Sequence, residues 1–141
     1  MRILIVEDDK IYQKMLNKIL SSYGKCDIVS NGKEGLDAFL RAWEEGDPYL
    51  LITLDIMMPE MDGQEVLTQI REIEKKKAIS SHQAKIIIIS ALDHTQNIIY
   101  SFRSGCESYI IKPVSEKGIK DALVDLGLID KKDGVKDECS E

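Results

Sequence analysis

LLITLDIMMPEMDG, residues 50–63, is the stretch on which the reading of this chain turns. Its apolar run stops abruptly at Asp55, passes through Met58-Pro59 and closes on Asp62-Gly63. A carboxylate at the carboxyl end of a buried strand, followed by a constrained loop, is a common way to present a reactive group. Taken alone, Asp55 reads as no more than a polar strand terminus. Its neighbours in the sequence decide between the two.

Working outward, the same pattern recurs. Residues 2–6 carry the continuous apolar run ILIV, the mark of a strand buried on both faces, and stop on Glu7, Asp8 and Asp9. Residues 85–89 (KIIII) form a β-branched run ending on Ser90-Ala91. Two shorter runs, 26–29 and 108–111, complete five strands, and the last of them ends on Lys112-Pro113. Between the runs lie helical repeats. Tyr12, Met15, Leu16 and Ile19 recur at i, i+3, i+4, i+7, with Gly24 as the expected stop. Asn31 with Glu34, and Asp62 with Glu65, have capping-box spacing; Asp93 with Gln96 is expected to open a fourth helix and Ser115 a fifth. Five strands alternating with five amphipathic helices predict a doubly wound α/β fold, a parallel sheet covered on both faces in three layers. Residues 75–85 read as a surface excursion, and residues 128–141 as a charged, frayed tail after a domain spanning 1–127.

Composition bounds the possibilities. A chain of 141 residues, 43% hydrophobic and 31% charged, suits one globular domain. The net charge of −6 argues against non-specific nucleic-acid binding. Cys26, Cys106 and Cys139 are odd in number and show no CxxC spacing, which disfavours a disulfide scaffold or a zinc site. No apolar run approaches the roughly 20 residues of a membrane span. A reducing cytoplasm is the expected location.

In a doubly wound sheet the ligand site lies at the carboxyl ends of the strands. Four of the five ends here deliver a useful group: Glu7-Asp8, Asp55, Ser90 and Lys112. Three carboxylates converging on one cleft repel each other unless positive charge lies among them. Lys112 supplies one charge, and a hard divalent ion such as Mg²⁺ suits a site built from a few carboxylates. A carboxylate beside Mg²⁺, a lysine and a hydroxyl is a set of parts for phosphoryl transfer, with the carboxylate able to act as nucleophile.

The series LIVEDD, LDIMMPEMDG, IISA and YIIKP, in that order over residues 1–127, resembles the receiver domain of two-component response regulators, the flavodoxin-like fold of the chemotaxis regulator. The resemblance implies a strand order of 2-1-3-4-5. It makes Asp55 the phosphoacceptor, Asp8 a direct Mg²⁺ ligand, Glu7 a ligand through water and the Met57 carbonyl a further ligand, with Mn²⁺ able to substitute. Ser90 becomes the switch hydroxyl, Lys112 the phosphate-pairing residue, Tyr109 the aromatic switch and Lys112-Pro113 a cis peptide. Asp9 falls to helix N-terminal charge rather than metal binding.

The implied donor is a sensor histidine kinase or a His-phosphotransfer protein. The implied response is a changed surface on the fourth helix, fifth strand and last helix, read by a downstream protein or by a phosphorylation-dependent dimer. Such a chain is a switch, not a turnover enzyme. Two other readings remain: a degenerate receiver acting as an unphosphorylated interaction module, and a Mg²⁺-dependent aspartyl phosphatase, which wants an acid where Met57 stands. No helix-turn-helix or effector segment follows residue 127, so a stand-alone regulator is expected.

Overall fold

The computed structural model describes residues 1–58, 61–77 and 83–130. Pro59 of the opening loop, residues 78–82 of the surface excursion and residues 131–141, with Cys139, lie outside the described residues. Ten elements alternate in chain order: β1 (Arg2–Val6), α1 (Lys10–Leu20), β2 (Lys25–Val29), α2 (Gly32–Glu44), β3 (Leu51–Leu54), α3 (Gly63–Lys76), β4 (Lys85–Ser90), α4 (Thr95–Ser104), β5 (Ser108–Ile111) and α5 (Glu116–Asp125). The strands pair in parallel in the order β2-β1-β3-β4-β5. This is the expected doubly wound, flavodoxin-like sheet.

Strand period divides the apolar runs between two cores. Leu4, Val6, Ile52, Leu54, Ile86 and Ile88 face Phe39 of α2 and Val66, Leu67 and Ile70 of α3. The alternate residues Ile3, Ile5, Leu51, Ile87 and Ile89 face Leu16 and Leu20 of α1 and Ile119 and Leu123 of α5. Strands buried on both faces explain why the sequence shows continuous apolar runs instead of alternation. Each such Leu or Ile contributes about 1.5–3 kcal/mol on burial, which outweighs the weak intrinsic preferences of short strands.

Helix starts follow local chemistry. The side chains of Asp9, Asn31, Asp62 and Ser115 each accept a hydrogen bond from a backbone N–H of the first turn that follows. Elsewhere the boundaries moved. α1 ends at Leu20 with Ser21 as its cap, so Gly24 does not close it. His94, not Asp93, precedes α4, and it makes no side-chain capping bond. α3 continues to Lys76, because Glu74 is fully buried near its end and anchors the last turn. Leu128 and Ile129, expected in a frayed tail, pack against the α1–α5 core, and the Leu128 N–H donates to the Leu123 carbonyl at 2.9 Å.

Candidate functional site

Parallel register brings the strand ends together. Val6 of β1 is paired with Leu54 of β3, so the next residues, Glu7 and Asp55, emerge side by side. The ladder runs one step past the strands, with Glu7 N–H donating to Val29 and Asp55 N–H to Val6, both at 3.1 Å. On the other flank Ser90 is paired with Ile111, and Lys112 N–H donates to the Ser90 carbonyl at 2.8 Å. Glu7, Asp55, Ser90 and Lys112 therefore share one rim, as the sequence implied. The Lys112-Pro113 peptide is cis.

Asp55 is 4% exposed, and both its oxygens are engaged. Oδ1 accepts from Met57 N–H at 2.9 Å, and Oδ2 accepts from Lys112 Nζ at 3.0 Å. The loop returns tightly behind it: a Cβ at Gly63 would collide with the Asp55 carbonyl oxygen, so only glycine lets α3 start there. Met57 itself points its side chain out, 53% exposed.

Glu7 is buried at 1% exposure. Its Oε2 accepts from Asp9 N–H at 3.1 Å. Its Oε1 lies 2.9 Å from Lys112 Nζ, an ion pair by distance, yet that oxygen receives no well-directed hydrogen bond. Burial pushes the Glu7 carboxyl up to about 7, against the pull of Lys112. Burial also works against the Lys112 charge, but its bonds to Glu7 and Asp55 outweigh that, and its pKa is raised. The ammonium has a further neighbour, the Tyr12 ring, whose centroid is 4.1 Å from Nζ.

Carboxylate oxygens of Glu7, Asp8 and Asp55 lie within 4.8 Å of one another, with Asp8 exposed at the mouth. Three carboxyl groups against one ammonium give a formal excess of two negative charges if all three are charged. An all-oxygen donor set, an orphaned buried oxygen and that excess fit a hard divalent cation such as Mg²⁺. Asp9 takes the helix N-terminal position expected of it: its carboxylate accepts from Ile11 N–H and Tyr12 N–H.

Ser90 is fully buried, and its Oγ accepts from Leu92 N–H at 3.3 Å. Tyr109 is half-buried, and its hydroxyl donates to the Leu92 carbonyl at 2.7 Å. Burial raises the Tyr109 pKa, with hydrogen bonding to Ser90 opposing. Two residues escaped the sequence reading. Tyr12 counted only as part of an apolar helix face, although its place one turn past the acids was a usable signal. Gln13 gave no signal at all; it is buried, and its Nε2 donates to the Glu7 carbonyl at 2.6 Å and to Ser30 Oγ at 3.2 Å.

Among the described residues no helix is long and apolar enough to cross a membrane. The family model for the response regulator receiver domain matches residues 3–124. The chemotaxis protein CheY of Bacillus subtilis (strain 168) is 33% identical over 122 residues, covering 86% of this chain and 93% of that protein. The transcriptional regulatory protein HprR of Escherichia coli (strain K12) is 34% identical over 116 residues, which is 82% of this chain but 46% of HprR. Among solved structures, the CheX-CheY-BeF3-Mg²⁺ complex from Borrelia burgdorferi is similar with a TM-score of 0.78 and 28% identity, covering 90% of this chain and 89% of that one. The chain belongs to the response regulator receiver domain family, phosphorylation-dependent signalling modules that take phosphoryl groups from histidine kinases and bind Mg²⁺ in an acidic pocket.

Proposed function

We propose that this chain is a switch in which Asp55 accepts a phosphoryl group from a phosphohistidine on a sensor kinase or His-phosphotransfer protein. The observation that carries the reading is the Lys112 ammonium, 3.0 Å from Asp55 Oδ2 and 2.9 Å from Glu7 Oε1, with both carboxyls buried. In the transfer the histidine N–P bond breaks, its electron pair returns to the imidazole nitrogen, and a carboxylate oxygen of Asp55 forms the new O–P bond. Glu7, Asp8, Asp55 and the Met57 carbonyl would hold Mg²⁺, or Mn²⁺ in its place, and the ion would neutralise the acids and the phosphoryl oxygens. Lys112 holds Asp55 in place beforehand and then pairs with the incoming charge.

The product is an acyl phosphate that persists until it is hydrolysed, so the chain switches and does not turn over a metabolite. Ser90 is the hydroxyl placed to meet the phosphoryl group. Tyr109, tethered through Leu92 to the same loop, is the aromatic that responds. Ile99, Tyr100 and Phe102 of α4 and Ile111 of β5 are large apolar side chains left exposed, which supports α4–β5–α5 as the surface read by a protein partner or a second copy. The net charge of −6 supports a protein target over direct nucleic-acid contact, and the free thiols of Cys26 and Cys106 support a cytoplasmic setting. Phosphotransfer from cellular histidine kinases with Mg²⁺ tests the assignment: wild type takes the label and Asp55→Ala does not. Persistent label on Asp55→Ala overturns it, and an unlabelled wild type makes the chain a degenerate receiver.

A further inference from the structure

We infer that Tyr12 is a positioning residue for Lys112: its ring covers the outer side of the ammonium and holds the charge on Asp55 for the incoming phosphoryl group. The inference rests on the phosphoacceptor reading above and deepens it. Lys112 Nζ lies 3.0 Å from Asp55 Oδ2, 2.9 Å from Glu7 Oε1 and 4.1 Å from the centre of the Tyr12 ring. The two acids lie inside the pocket, at 4% and 1% exposure, whereas Asp8 and Met57 beside them are open to water. Without a cover, a side chain with four rotatable bonds would lose its ammonium to solvent for part of the time. An aromatic face supplies the cover and attracts the cation.

The ring is held there by the backbone. Asp9 accepts from Ile11 N–H at 2.8 Å and Tyr12 N–H at 3.4 Å, which sets the first turn of α1. Asp9 N–H donates to Glu7 Oε2, and Gln13 Nε2 donates to the Glu7 carbonyl at 2.6 Å. Tyr12 therefore stands between two residues bonded to Glu7, and its position over Lys112 follows from the position of Glu7. Tyr12 is only partly buried and belongs to neither core cluster, so its replacement leaves the core intact.

The test measures single-turnover phosphorylation of the full chain by acetyl phosphate with Mg²⁺. Tyr12→Phe keeps the π face and stays within about twofold of wild type, whereas Tyr12→Leu slows the reaction about fivefold, the scale of one partly desolvated cation–π contact. Phenylalanines at position 12 carrying one, two and three ring fluorines slow it progressively, because shape is nearly constant while the negative face is drained. A flat fluorine series, or Tyr12→Leu at the wild-type rate, overturns the inference. A second arm needs no phosphorylation: the Lys112 Hε protons are shifted upfield by the ring in wild type and Tyr12→Phe but not in Tyr12→Leu. Unshifted protons in wild type also overturn it. A wild type that takes no phosphoryl group on Asp55 refutes the phosphoacceptor reading instead, and the proton shifts then still decide the Tyr12 contact.

Discussion

The two rims of this sheet both carry buried charge, and they use it in opposite ways. At the amino rim Arg71 donates to the Gly105 carbonyl, the Ala84 carbonyl, Glu74 Oε1 at 2.7 Å and Glu107 Oε1 at 2.7 Å. The acids are answered in turn: Glu74 Oε2 accepts from Ala84 N–H at 2.9 Å and Glu107 Oε1 from Ile86 N–H at 2.7 Å. The cluster ties α3, the start of β4 and the turn before β5 together. At the carboxyl rim one lysine pairs with Glu7 and Asp55 beside a third acid, Asp8, and the buried Glu7 Oε1 has only the Lys112 ammonium at 2.9 Å, without a well-directed hydrogen bond. A satisfied network holds a fold together; an unsatisfied one is a place for something to bind. The presence of buried ions does not separate structure from function. The balance of their partners does.

That contrast can be broken most forcefully at the amino rim. Arg71→Met strands Glu74, which is fully buried, and is expected to cost about 3–5 kcal/mol in urea unfolding. The folded fraction should still take a phosphoryl group on Asp55. An unchanged unfolding midpoint would show that the network carries no stability.

The next effect sharpens the carboxyl rim. Glu7 titrates at about 7 in the fold against an ordinary 4.5, so the folded chain holds this proton more tightly than the unfolded chain. Its contribution is complete below about pH 4.5 and is lost as pH rises through 7, on the order of 3 kcal/mol in metal-free buffer. Glu7→Gln should flatten that slope, and Mg²⁺ should restore wild-type stability at pH 8. Equal slopes in wild type and Glu7→Gln would remove the claim that this rim is unbalanced.

The smallest effect concerns Met57, whose exposed side chain gives an attacking water no polar partner. Met57→Asn should shorten the lifetime of phosphorylated Asp55 about fivefold, the worth of one net hydrogen bond to that water. Timing phosphate release checks it, and unchanged or slower decay counts against it.

Much of this was legible in residue order. Apolar runs of strand length betrayed both-face burial, and Asp9, Asn31, Asp62 and Ser115 declared helix starts through chemistry confined to one turn. Helix ends were less readable. Ser21, not Gly24, closes α1 with its Oγ donating to the Lys18 carbonyl at 3.4 Å, and the start of α4 is equally hard to read, since His94 precedes it without a capping side chain. Each group at the strand ends was nameable because a strand terminus is a local event, and five together pointed to one rim.

By itself, then, the sequence determined the alternation of elements, the burial of the sheet on both faces and the identities of Glu7, Asp8, Asp55, Ser90 and Lys112. Only the tertiary structure decided how these groups balance one another. Burial raises the Glu7 carboxyl, Gln13 reaches back to the Glu7 carbonyl, and Tyr12 lies over Lys112 from a helix 100 residues away in the chain. Desolvation and through-space contact depend on distances between elements, and those distances exist only once the sheet has closed on its helices.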